Sequence, residues 1–138
     1  FMPFSEMSVL SEEFAQCVAH QTDKIVFITD REKVIAAAGD GLKGIVGKEI
    51  SHSLERILDD RDESLPLAER SRFIPVVEGM DGADEVKKVE QVRQMIRSNG
   101  QIIGSIIIQS KDPKYKVGEF EKKVAMVAAE FLGKQITI

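Results

Sequence analysis

Ser98-Asn99-Gly100-Gln101 stands between Lys87–Arg97 and Gln101–Ser110, two runs that read as strands, the second of them almost wholly apolar. Asn-Gly tolerates the positive φ angles that a two-residue primed turn demands, so the two runs must fold back on each other as an antiparallel hairpin. Past Asp112-Pro113, Val117 to Ile136 carries apolar residues at spacings of three and four, the period of a helix. A hairpin followed at once by a helix commits the last third of the chain to an antiparallel sheet with a helix laid over it. Such a layout excludes an all-parallel sheet, whose strands need long crossovers.

The remainder fits the same plan. Ser5 to Gln21 places Met7, Leu10, Phe14, Cys17 and Gln21 along one strip, with Ala15, Val18 and Ala19 on a smaller strip beside it. That pattern predicts an amphipathic helix with a broad apolar face, with Cys17 on its inner side as a small hydrophobe. Lys24–Thr29 and Val34–Ala38 predict a hairpin around the polar turn Asp30-Arg31-Glu32-Lys33. Ser51 or Ser53 is positioned to cap a short helix covering Leu54, Ile57 and Leu58. Phe73–Val77 predicts a further strand, and the glycine-dense Gly39–Gly47, Ser64–Arg72 and Glu78–Glu85 predict loops. The expected order is helix, two strands, short helix, three strands, helix. It describes an α+β domain with a five-stranded antiparallel sheet flanked by N- and C-terminal helices.

The C-terminal segment also carries two strips. Val117, Phe120, Val124, Val127 and Phe131 form one, and Ala125, Ala128, Leu132 and Ile136 the other. A helix with two apolar strips can pack on its sheet with one and meet a neighbour with the other. The expectation is a homo-oligomer built on the terminal helices through Leu10, Phe14, Phe120, Val124 and Phe131.

No catalytic constellation is visible. Gly39-Asp40-Gly41-Leu42-Lys43-Gly44 matches a dinucleotide fingerprint in letters, but it follows a hairpin and not the first strand of a parallel βαβ unit. His20 and His52 have no Glu or Cys at ligand spacing and read as surface residues. Asp59, Asp60, Asp62 and Glu63 lack the glycine and distal glutamate of a calcium loop, and Asp81, Asp84 and Glu85 show no metal pattern. No metal or cofactor is expected. Ile50, Leu54, Phe73, Met80 and Met95 are the candidates to line a small-molecule pocket between the sheet and the short helix, because thioethers adapt to shape.

Composition narrows the function classes. A net charge of −4 without clustered Lys or Arg argues against this segment holding DNA itself, since phosphate binding needs concentrated cations. One cysteine rules out an internal disulfide framework and suits a reducing cytoplasm. No apolar run approaches the roughly 18 residues of a spanning helix. Phe1 precedes Met2, so residues upstream of this sequence are expected.

Four groups of residues give the chain a family likeness. They are Ile28-Thr29-Asp30-Arg31 with Ile35-Ala36, and Lys48-Glu49-Ile50-Ser51 followed by Leu54-Glu55-Arg56 and Arg61. Gly104-Ser105-Ile106-Ile107-Ile108 with Ser110-Lys111-Asp112, and Ala128-Ala129-Glu130-Phe131-Leu132 with Gln135, complete the set. In their order and spacing these resemble the C-terminal GAF-like domain of the stage V sporulation protein T regulators of spore-forming bacteria. The resemblance implies a non-catalytic domain that follows an AbrB-type DNA-binding module, helps to assemble the regulator through its terminal helices, and senses a small molecule. Two other readings are a sensor whose output is a protein signalling partner, and a GAF-scaffold redox enzyme such as a free methionine sulfoxide reductase. The latter chemistry calls for several cysteines near a cleft.

Overall fold

In a computed structural model, described for residues 7–39, 42, 44–59, 73–79, 89–112 and 114–136, the elements are α1 (Ser8–Thr22), β1 (Ile25–Thr29), β2 (Val34–Ala38), α2 (His52–Asp59), β3 (Gln91–Ser98), β4 (Gln101–Gln109) and α3 (Glu119–Lys134). The strands form one antiparallel sheet in the order β2-β1-β4-β3, which joins the two hairpins through β1 and β4. Those two inner strands are the most apolar stretches of the chain, as a doubly covered position requires.

Period-two alternation splits the sheet's side chains between two cores. Val26, Ile28, Ile96, Ile106 and Ile108 point to one face, where they meet Ala15 and Val18 of α1 and Ala125, Ala128 and Leu132 of α3. Phe27, Val34 and Ile107 point to the other face, where they meet Ile50, Leu54 and Leu58 of α2 and its approach, with Ile74, Val76 and Val77. The result is three layers: the terminal helices, the sheet, and α2 with the 73–77 segment.

The turns form as the residues dictate. Asn99 and Gly100 hold φ values of 52° and 79°, the pair of positive angles a type I′ turn needs. Asp30 closes the first hairpin, its carboxylate accepting from the N–H groups of Glu32 at 2.7 Å and Lys33 at 2.8 Å. Ser51 is the residue that caps α2: its hydroxyl accepts from Leu54 N–H at 3.1 Å and donates to the Pro75 carbonyl at 2.6 Å. Replacing Ser51 by Ala removes a cap and a cross-tie together. About 1–2 kcal/mol of stability should go, readable as a shifted urea midpoint at unchanged slope.

The expected strand at Phe73–Val77 does not form, and the described residues hold four strands in place of the five expected. Pro75 removes a ladder donor from the middle of the segment. Gln91 supplies a partner in its place, its side-chain amide donating to the Ile74 carbonyl at 2.8 Å and accepting from Ile74 N–H at 3.3 Å. A side chain thus does for one residue what a neighbouring strand would do for a row of them. The acidic residues at 60, 62, 63, 81, 84 and 85, and three positions of the glycine-rich loop, lie outside the described residues.

Candidate functional site

Two surfaces hold the residues singled out in the sequence. The first is the outer side of the helix pair. α1 and α3 run antiparallel on the same sheet face: Phe14 stacks on Phe131 with ring centroids 5.3 Å apart, and Lys24, just past α1, approaches Glu121 in the first turn of α3 at 3.9 Å. Each helix buries its strip of small residues, Ser11, Ala15 and Val18 on α1 and Ala125, Ala128, Ala129 and Leu132 on α3. Small side chains let both helices lie close to the pleated surface, and the bulky strips are left to face outward.

On α3 that outward strip is exposed to an unusual degree for apolar residues, with Val127 at 67%, Phe120 at 56% and Phe131 at 41%. Leu10, Phe14 and Val124 lie half-buried along the seam between the helices. Of the five residues expected at an oligomer contact, Phe120 and Phe131 are thus exposed, while Leu10, Phe14 and Val124 pack in part against the helix-side core. Cys17 is exposed and not on the inner side, because the smaller Ala15–Val18 strip is the one turned to the sheet. Val9, 72% exposed, and Met126 are apolar surface residues that sequence reading passed over, since neither lies on a periodic strip.

A polar clasp holds the α1–α3 junction at the end where α1 finishes and α3 begins. Glu121, almost buried, accepts from Gly118 N–H at 2.7 Å and so caps its own helix while facing Lys24. Glu90 accepts from Val117 N–H at 2.9 Å and pairs with Lys116 at 3.1 Å; Asp23 pairs with Lys111 at 2.9 Å. The Val117 N–H, with Lys116 behind it, holds the Glu90 carboxyl below its ordinary range, and Lys111 does the same for Asp23. Groups whose folded pKa is depressed stabilise above the unfolded value of about 4 and lose that contribution as pH falls toward the folded one. Glu90→Gln should therefore flatten the stability profile below about pH 4 and leave its slope near pH 8 unchanged, where Glu90 is ionised in both the folded and unfolded states, as thermal melts across pH would show.

The second surface is the α2 side of the sheet. Ile50 and Leu54 are buried there and Met95 packs against them, while Phe73 is half-buried beside Ile74. Four of the five expected pocket residues are thus placed on or next to this core. Met80 lies outside the described residues. β3 brings two groups to the same face that were not anticipated, Gln91 and Arg93, and their signal was the alternation with Met95. The Arg93 guanidinium donates to Gln91 Oε1 at 2.5 Å, and burial pushes its pKa down to about 10. At the next register step the hydroxyls of Thr29 and Ser105 bond each other at 2.7 Å. Phe27 and Ile107 lie between these polar groups. Arg31 closes the end of this layer, bonding the carbonyls of Ile102 at 3.0 Å and Leu58 at 3.5 Å and the Asp59 carboxylate.

A separate groove of about 860 Å³ runs between α3 and the edge strand β3, lined in part by Arg97, Lys123, Met126 and Glu130; Met95 reaches it too. No group of three or more His, Cys, Asp or Glu able to hold a metal occurs among the described residues, and no helix there is long and apolar enough to cross a membrane. His20 and His52 are both exposed.

An antiparallel sheet with paired terminal helices on one face and a short helix on the other is the architecture of a GAF-like domain. It matches the cofactor-binding GAF domain of the nutrient sensor CodY from Clostridium difficile with a TM-score of 0.63, at 13% identity, over 91% of this chain and 83% of that one. The chain belongs to the family described as stage V sporulation protein T C-terminal, transcription factor, which matches residues 6–137. The stage V sporulation protein T of Bacillus subtilis (strain 168) is 33% identical over 136 residues, 99% of this chain and 72% of that protein.

Proposed function

We propose that this is a non-catalytic regulatory domain of a sporulation-type transcription factor. In this reading it pairs with a second copy through α1 and α3, and reads a small molecule on the α2 side of the sheet. The observation that carries it is the outward strip of Phe120, Val127 and Phe131: a contiguous apolar surface on a helix pair is the kind of patch that marks an association site. DNA contact would come from a module outside this chain, in keeping with its net charge of −4. The description of the CodY domain as cofactor-binding, in a nutrient sensor, supports the sensing half. Coupling the two halves requires a ligand that binds two arrangements of the helices unequally.

Phe120→Asp tests the pairing. An exposed position tolerates the change in the monomer, whereas an aromatic anchor lost from a contact costs about 2 kcal/mol or more, roughly thirtyfold in Kd. Sedimentation should show the wild type as a dimer at micromolar concentration and the variant shifted to monomer; an unchanged dimer would remove Phe120 from the contact. A thermal-shift screen of amino acids, nucleotides and cofactors tests the sensing, since a ligand at a hundredfold its Kd adds about 2.7 kcal/mol. A flat screen would leave the domain an architectural role alone.

A further inference from the structure

Two arginines open into one cleft of about 300 Å³ at the hairpin end of the α2 layer, lined by Arg31, Arg97, Gly100, Gln101 and Ile102. We propose that this cleft takes a phosphate group carried on a small organic molecule and held between the two guanidiniums. The proposal rests on the sensing half of the reading above and names its ligand class.

Arg31 is the fixed member of the pair. Its guanidinium donates to the carbonyls of Ile102 at 3.0 Å and Leu58 at 3.5 Å and pairs with the Asp59 carboxylate. Those bonds leave some of the five N–H donors of a guanidinium unspent. Ile102 is also the residue that Arg97 pairs with across the β3–β4 ladder, so Arg31 is tied to the strand position beside Arg97. Arg97 is exposed, and its guanidinium makes no hydrogen bond or ion pair among the described residues. No Asp or Glu is among the described residues that line the cleft. Asp59 reaches Arg31 from α2 and offsets its charge, so the net attraction for an anion comes from Arg97 and the fixed geometry from Arg31.

The turn contributes a backbone donor. In a two-residue primed turn the closing bond runs between the flanking residues, here Ser98 and Gln101, and the N–H of the second turn residue is left over. Gly100 is that residue, with φ at 79°, and it lines the cleft. Donors on separate elements suit a tetrahedral group with three terminal oxygens. A carboxylate has two coplanar oxygens, which a single arginine fork satisfies. The volume adds the organic part. It stands at the lower end of ligand cavities, about 300–1,000 Å³, whereas a bare phosphate displaces only a few waters of about 30 Å³ each. Ile102 and the stem of Arg97 offer apolar surface for the remainder of the molecule.

The test is calorimetric titration of the chain at low salt with ribose 5-phosphate, adenosine 5′-monophosphate, their unphosphorylated parents and inorganic phosphate. At least one ester should bind, more tightly than inorganic phosphate, and neither parent should; the affinity should fall as salt is added. Arg97→Gln, at an exposed position, should leave the melting temperature unchanged and weaken the ester about tenfold or more, the loss of one charge-assisted contact. Arg31→Lys keeps the charge without the fork and should weaken it as well; if that variant also melts earlier, Arg97→Gln decides. Ester binding untouched by Arg97→Gln, or parents that bind as well as their esters, would overturn the proposal. Inorganic phosphate binding as tightly as the esters would overturn the organic carrier. If no phosphate compound binds while the wider screen yields another ligand, the ligand class is wrong and the sensing role stands; if both are flat, the sensing role falls with it.

Discussion

Gly133→Ala should destabilise the fold by about 2–3 kcal/mol, lowering the melting temperature by several degrees, although the substitution improves helix propensity. In an exposed helix interior, Ala in place of Gly is favourable by about 1 kcal/mol. Here an added Cβ would lie 2.2 Å from the carbonyl oxygen of Arg97, a backbone atom of β3 that no rotamer change can move. The steric cost is the larger of the two effects, because α3 would have to lift from the edge strand at its last turn and loosen Leu132 and Ile136, both buried in the helix-side core. A gain in stability would mean that the last turn of α3 is not seated on β3. Gly133→Ser, with a Cβ in the same place, should lose about as much.

The second large effect is expected at Phe27. Its side chain is fully buried on the α2 side of the central strand β1, against the cluster that includes Leu54, Ile74 and Ile107. Truncation to Ala should cost about 3–5 kcal/mol, from lost transfer energy and from a cavity that the surrounding strands cannot close. Set against a total of about 5–15 kcal/mol for a domain, this leaves little margin, and urea denaturation at 25 °C is the suitable measurement. A loss below about 1 kcal/mol would show that the α2 layer collapses onto the gap, so that this core is soft. The same variant separates the two surfaces: Phe27 lies across the sheet from the helix pair, so any population that stays folded should dimerise as wild type does.

Much of the local structure was legible because it is set by neighbouring residues. Asn99-Gly100 specified its turn, Asp30 its Asx turn and Ser51 its cap, since each acts on backbone groups two or three residues away. The fifth strand failed for a nonlocal reason. Phe73–Val77 has strand-forming residues, but a strand exists by virtue of its partner, and with Pro75 at its centre the Gln91 amide took that place for Ile74. Cys17 failed similarly: the strips on α1 could be counted, while the one that faced inward depended on how closely the helix approaches the sheet. Arg93 was passed over although its alternation with Met95 placed both on one face, because a charged residue in a polar strand reads as facing solvent.

The residues in their order determined an antiparallel sheet made of two hairpins, helices at both ends with doubled apolar strips, and the family to which these belong. Periodicity and turn chemistry are properties of short stretches, and short stretches carry them wherever they are placed. Only the folded chain decided which strip each helix would bury, that the bulky ones would meet as a single outward surface, and that β3 would carry a guanidinium to the α2 side. Those outcomes depend on clearances between elements far apart in the chain, such as Gly133 against Arg97, and clearance is a property of packing.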